Sequence, residues 1–125
     1  MGVGSVGSLV YSSKRVLDNV ENLGREFTLS PSGRFGVQGE NEPRIVKSAK
    51  PQVAAERFWE VLKKGADTVS VKEGKNSEVK IATFGKYSFI TYRPVTSSKD
   101  GSPGIAINDR GPSGFIYNLH FVPLD

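Results

Sequence analysis

Apolar side chains recur with a helical period in the first half of this chain and with a strand period in the second. In residues 13–23, SKRVLDNVENL, Val16, Leu17, Val20 and Leu23 fall on one helical face, with Ser12 or Ser13 as cap and Gly24 as stop. Residues 25–38, REFTLSPSGRFGVQ, read as two short strands around the turn Pro31-Ser32-Gly33. Residues 39–48, GENEPRIVKS, are polar and contain a proline, which places a boundary there. Residues 50–64 carry the clearest helical pattern. Pro51 suits the first turn, Ala54, Phe58, Val61 and Leu62 form one stripe, and Lys63, Lys64 and Gly65 suit the end. Trp59 lies beside that stripe and reads as core.

After Gly65 the period changes to two. Val69 and Val71 alternate, then Val79 and Ile81, and residues 78–93 read as a hairpin turning at Gly85-Lys86. Ile105 and Ile107 mark another strand. In GFIYNLHFV, Phe115, Tyr117, Leu119 and Phe121 share one face; Ile116, Asn118, His120 and Val122 share the other. The pattern predicts an α+β fold: an N-terminal helix or helices packed on a twisted, mostly antiparallel sheet of four to five strands. Residues 1–47 read as a leader with one short helix and a hairpin, and 48–125 as the functional domain.

Composition narrows the chemistry. The chain has no cysteine, which removes disulfides, thiolate nucleophiles and cysteine-based zinc sites. No apolar run approaches the roughly 18 residues of a membrane span, and no basic segment precedes the short apolar stretch Val6 to Tyr11, unlike a signal peptide. The net charge of +4 favours anionic partners. From Lys63 to Lys99 eight basic residues face three acidic ones, which reads either as a binding face or as a solvated surface. HExxH, Walker A, GxGxxG and GxSxG patterns are absent, and the scattered carboxylates argue against two-metal chemistry. A spatially assembled Ser/His/Asp triad stays open.

Two features can carry chemistry. His120, the only histidine, is either a proton shuttle suited to neutral pH or a hydrogen-bonded histidine at a sheet edge. In ITYRPVTSSKDGSP, a strand delivers Arg93, Pro94 ends the ladder, and a hydroxyl-rich loop follows with Thr96, Ser97, Ser98, Lys99 and Ser102. Guanidinium, hydroxyls and backbone N–H groups suit a phosphate, and the same residues also suit an ordinary surface loop. Alternation puts Arg93 with Phe89 and Thr91, and leaves open whether that face is also His120's.

The stretch from Pro51 to Pro123 resembles the C-terminal toxin domains of bacterial polymorphic and contact-dependent growth inhibition systems. The resemblance lies in an AAERFWEVL helix, then ITYRPVTSSKDGSPGIAIN, then a closing NLHFVP. It is similar to the metal-independent ribonucleases grouped as the barnase/EndoU/colicin/RelE fold. Such a toxin is secreted or surface-delivered by its producer, acts in the target-cell cytoplasm and is neutralised by a cognate immunity protein. The resemblance implies cleavage of RNA, with tRNA the expected substrate, by 2′-hydroxyl attack giving a 2′,3′-cyclic phosphate. No metal and no cofactor are implied. His120 would be the general acid or base, Arg93 the stabiliser of phosphorane charge, and Thr96, Ser97 and Ser98 ligands of the phosphate oxygens. Lys64, Lys86, Tyr92, Lys99 and Ser102 would bind RNA, with Tyr92 or Trp59 stacking on a base. Residues 1–47 share no such likeness. The alternatives are a non-catalytic basic nucleic-acid-binding domain, or a toxin domain acting on DNA, a nucleotide or NAD.

Overall fold

The computed structural model describes residues 3–96 and 100–124. In chain order the elements are α1 (Val3–Leu23), β1 (Val37–Gln38), β2 (Arg44–Ser48), α2 (Pro51–Leu62), β3 (Thr68–Glu73), β4 (Glu78–Phe84), β5 (Ser88–Arg93), β6 (Gly104–Asp109) and β7 (Ile116–Pro123). The strands form one sheet in the order β1-β2-β7-β6-β5-β4-β3. Every pair is antiparallel except β2 beside β7, which is parallel. The fold is α+β with helices on a mixed sheet. Its seven strands exceed the expected four or five, because β2 lies in residues 39–48, which read as polar loop, and β1 lies in residues 25–38, which read as a leader hairpin outside the sheet.

Both helices contribute to one core. Phe58 of α2 is fully buried, with its ring centroid 4.5 Å from that of Phe27, 5.0 Å from Phe35 and 4.8 Å from Phe121. Ala82 and Phe84 of β4, Ile90 and Tyr92 of β5, Ile105 and Ile107 of β6, and Leu119 and Phe121 of β7 form the sheet side of the core. Each large apolar side chain so buried contributes on the order of 2 kcal/mol. Buried Asn19 of α1 donates Nδ2 to Leu62 O at 3.0 Å and Lys64 O at 2.8 Å, satisfying carbonyls that the end of α2 leaves open.

The structure corrects three local expectations. Helix α1 begins at Val3 rather than residue 13, so Ser12 and Ser13 are buried within it and cap nothing. Ser13 Oγ instead donates to Asp109 Oδ2 at 2.6 Å, a partner 96 residues away. The two strands expected in 25–38 reduce to one bridge, Leu29 with Phe35, around a turn in which Gly33 has φ 81°, followed by the two-residue β1. The boundary expected at residues 47–48 falls inside β2. Val16, Val20, Leu23 and Phe35 share the core cluster with α2 and β4 to β7, so no break in packing separates the first 47 residues from the rest.

Two buttresses tie α1 to the sheet. Arg15 grips Asp67 in a two-pronged ion pair, Nη1 to Oδ1 at 2.8 Å and Nη2 to Oδ2 at 3.2 Å, and Gly85 N donates to Oδ2 at 2.7 Å. The Arg15 hydrogen bonds, then the Gly85 amide, hold the Asp67 carboxyl down to about 2. A carboxylate with a depressed folded-state value contributes its full stability above the unfolded value and loses it as the pH falls. Unfolding midpoints in urea are therefore expected to drop from pH 4 toward pH 2, and Asp67→Asn should flatten part of that fall. The side chain is half exposed, so solvent screening holds its share to about 1 kcal/mol or less. The second buttress is Asp109, fully buried. It accepts hydrogen bonds from Ser13 Oγ, Ser88 Oγ at 2.8 Å, Gly111 N at 2.9 Å and Ser113 Oγ. Burial alone would raise its pKa; the hydrogen bonds from Ser113, Ser13, Gly111 and Ser88 together outweigh burial and lower it.

Candidate functional site on the helix-free sheet face

Strand alternation sends half of the sheet's side chains into the core and half to the opposite face. The pairing register identifies the second set. It runs from Thr68, Ser70 and Lys72 on β3 through Val79, Ile81 and Thr83 on β4 to Phe89, Thr91 and Arg93 on β5. It continues with Gly104, Ala106 and Asn108 on β6, Ile116, Asn118 and His120 on β7, and Ile45 and Lys47 on β2. None of these side chains is a carboxylate, while Lys47, Lys72 and Arg93 are cations. Both helices pack on the other side; on this face Val79 and Thr91 are nonetheless buried, while Ser70, Lys72, Arg93, Ile116 and Asn118 are exposed.

One cross-strand row concentrates the chemistry. Arg93 pairs with Gly104, and Gly104 pairs with His120. The guanidinium and the imidazole thus rise from the same face, two strands apart, with Cα atoms roughly 10 Å from each other and with Thr96 packed over the glycine between them. Arg93 is exposed at the end of β5 and His120 is half-buried. Gly104 is required by what fills the row. A Cβ there would lie 2.8 Å from Thr96 Cγ2, 3.3 Å from Leu119 O and 3.5 Å from His120 Cδ2. The loop after β5 therefore folds over Gly104 and brings Thr96 beside the imidazole.

That loop is braced from within. Thr96 donates both its N–H, at 3.2 Å, and its Oγ1, at 2.6 Å, to Ser102 O. Asn76 Nδ2 donates to Thr96 O at 3.3 Å, and Ser102 N donates to Asp100 Oδ1 at 3.0 Å. Gly101 takes φ 64°, a left-handed value that glycine adopts without strain. Phe121 N donates to Pro103 O at 2.9 Å, fixing the loop's return next to β7. Thr96 and Ser102 are buried and shape the loop. Ser97, Ser98 and Lys99, expected as phosphate and RNA ligands, lie outside the described residues.

Other expected site residues lie elsewhere. Tyr92 is 3% exposed on the helix side of the sheet and stacks on Trp59, ring centroids 5.8 Å apart. Neither ring is placed to receive a base; Tyr92 alternates with Arg93 and points the opposite way. Lys64 follows α2 and its carbonyl accepts from Asn19, so it belongs to the helical layer. Lys86 sits in the β4–β5 turn, past the end of β5 remote from Arg93, with roughly 17 Å of strand between. The basic run from Lys63 to Lys99 is therefore spread over several surfaces. Charge counts along a chain carry no information on facing.

The sequence reading missed a cleft of about 370 Å³ at one border of this face, lined by Ser32, Arg34, Gln38, Glu42, Arg44 and Asn118 with Ile116 and Tyr117. The register explains it. β2 starts opposite Leu119, so Ile116, Tyr117 and Asn118 have β6 on one side and no strand on the other. The 30–43 segment closes around that notch. Arg44 donates Nε to Phe35 O at 2.7 Å and Nη2 to Gly36 O at 2.8 Å, and Phe35 N donates to Tyr117 Oη at 3.2 Å. Among the described residues no group of three histidine or carboxylate side chains is placed to hold a metal ion, and no helix is long and apolar enough to cross a membrane. Compared with protein-family models, with curated proteins and with solved structures, the chain matches none of them.

Proposed function

We propose that this chain is an RNA-cleaving toxin domain that works without a metal, using His120 and Arg93 on the helix-free sheet face. The observation that carries this reading is the Arg93–Gly104–His120 row. A phosphodiester that passes along the outer edge of Thr96, which fills the space over Gly104, meets a guanidinium on one flank and an imidazole on the other. The face around it has cations and no carboxylate among its strand residues, which suits a polyanion.

The chemistry is a transesterification. A neutral His120 imidazole takes the proton of the ribose 2′-hydroxyl as the 2′-oxygen bonds to phosphorus. The bond from phosphorus to the 5′-oxygen breaks, and that oxygen leaves as a hydroxyl with a proton from water. The products are a 2′,3′-cyclic phosphate and a 5′-hydroxyl end. Arg93 offers two parallel N–H donors to the non-bridging oxygens, whose charge grows in the phosphorane. Thr96 keeps the loop over Gly104 and so fixes the distance between the two groups. Lys72, on the edge strand β3 of the same face, attracts the phosphate backbone.

The wider reading is a delivered antibacterial toxin held in check by an immunity protein, with tRNA as substrate. Its support is the likeness of the Pro51–Pro123 stretch to such domains. The test is incubation of purified protein with tRNA in excess EDTA, alongside single-stranded DNA and NAD. The expected result is discrete tRNA fragments with cyclic phosphate ends, undiminished by chelator, and arrested growth on cytoplasmic expression. Stable RNA–protein complexes without fragments would replace this reading with a nucleic-acid-binding domain. Consumption of DNA or NAD instead would move the activity to another substrate.

A further inference from the structure

We propose that the outer edge of β3 pairs with the same edge of a second copy of this chain, joining two sheets into one across a two-fold axis. Among the described residues no strand lies beyond β3 in the sheet. All six residues of β3 are exposed. Every second residue of an edge strand turns its N–H and C=O away from its neighbour, so β3 presents a row of backbone groups without a strand partner. Natural edges are blunted by brevity, proline, a bulge or a charge among the apolar side chains. The opposite edge of this sheet is blunted by brevity, since β1 has two residues. On its helix side β3 carries none of these devices. It contains no proline, its register with β4 runs unbroken from Thr68 to Glu73, and Val69 and Val71 stay 52% and 54% exposed. They stay so because α1 lies over β4 and β5, and α2 over β2, β6 and β7.

The strand's own sequence selects a copy of itself as the partner and fixes the register. Antiparallel strands bond only where outward-turned residues of one meet outward-turned residues of the other. A strand and its two-fold copy therefore meet with residues of like parity opposite each other. Of the registers this allows, the one with Ser70 opposite Ser70 sets each valine against a valine, Val69 of one copy against Val71 of the other. On the second face it sets Thr68 against Lys72. Apolar side chains thus meet apolar ones and polar meet polar along the strand. Lys72 and Glu73 cancel within each β3, so the two edges do not repel. At the ends Glu73 meets Asp67 of the second copy, whose charge Arg15 already balances. The same parity brings both helix-free faces, each with its Arg93 and His120, to one side of the joined sheet and the helices to the other. Strand spacing puts the two Arg93 residues on the order of 25 Å apart.

Pairing through one short strand buries on the order of 1,000 Å² or less, the class of weak and reversible contacts, so the dimer fraction depends on concentration. Sedimentation equilibrium of the full chain from about 10 µM to about 1 mM is expected to show a mean mass rising from that of the monomer toward twice that value. Val71→Lys, at an exposed position, should hold the chain monomeric over the same range with its melting temperature unchanged. The chain has no cysteine, so single introduced cysteines report the register. Under mild oxidation Ser70→Cys is expected to form a disulfide-linked dimer about 10-fold faster than Val71→Cys, since only position 70 meets itself across the axis. A monomer at the highest concentration, a dimer that persists in folded Val71→Lys, or linkage no faster in Ser70→Cys than in Val71→Cys would overturn the proposal. None of these measurements involves RNA, so a chain that dimerises and cleaves no tRNA would overturn the catalytic reading alone.

Discussion

Replacing His120 by alanine is expected to slow tRNA cleavage by about 100-fold or more without altering the melting temperature appreciably. The magnitude follows from the usual worth of a positioned general base, about 10²–10⁴ in rate. The small structural effect follows from position. His120 is half-buried on the face opposite the core, beside a glycine and a loop rather than among core side chains. Arg93→Ala should cost about 10²-fold, since a donor aimed at developing negative charge is worth that much. Arg93→Lys should recover only part of the loss, because an ammonium offers a point charge and no planar fork. Initial rates on one tRNA, measured with melting curves for each variant, separate chemistry from folding. Full activity in both His120→Ala and Arg93→Ala would remove the row from the mechanism.

Asp109→Ala is expected to destabilise the fold by about 3 kcal/mol or more, the largest stability loss we expect from a single polar position. The carboxylate is fully buried and accepts from Ser13, Ser88 and Ser113 hydroxyls and the Gly111 amide. Truncation leaves those donors without their acceptor in a site closed to water and opens a cavity beside α1. Asp109→Asn should cost less, since an amide oxygen keeps an acceptor in place. Because the hydrogen bonds lower the folded-state pKa, this contribution is complete at neutral pH. It declines in acid once the carboxyl takes up a proton, in the same direction as Asp67. Urea unfolding at pH 7 measures the effect. A midpoint in Asp109→Ala equal to that of the parent chain would show that the hydroxyl cluster reorganises around the gap.

The two predictions differ in how visible their residues were. His120 and Arg93 stood out in the chain, one as the only imidazole and the other as the cation ending a strand before a hydroxyl-rich loop. Asp109 and its serines gave no signal, because Ser13, Ser88, Asp109 and Ser113 come from α1, β5, β6 and the following loop. Arg34, Gln38, Glu42 and Arg44 were equally silent. They line a notch whose existence depends on where β2 begins relative to β7.

Periodicity determined α2, the run of antiparallel strands from β3 to β7 and the two faces of β7, since a period of 2.0 or 3.6 records which side of an element is buried. It underestimated α1, whose first turns interleave Val3, Val6 and Val10 with the weak helix formers Gly4, Ser5, Gly7 and Ser8, it passed over the short β2, and it took β1 for part of a separate hairpin. Facing between strands was decided only in three dimensions. A sequence places Arg93 opposite Tyr92 and His120 opposite Leu119 within their own strands, but a shift of one residue in either ladder would exchange the faces. The register through Gly104 sets Arg93 and His120 on one side, buries Tyr92 on the other, and scatters the lysines that looked like a single patch along the chain.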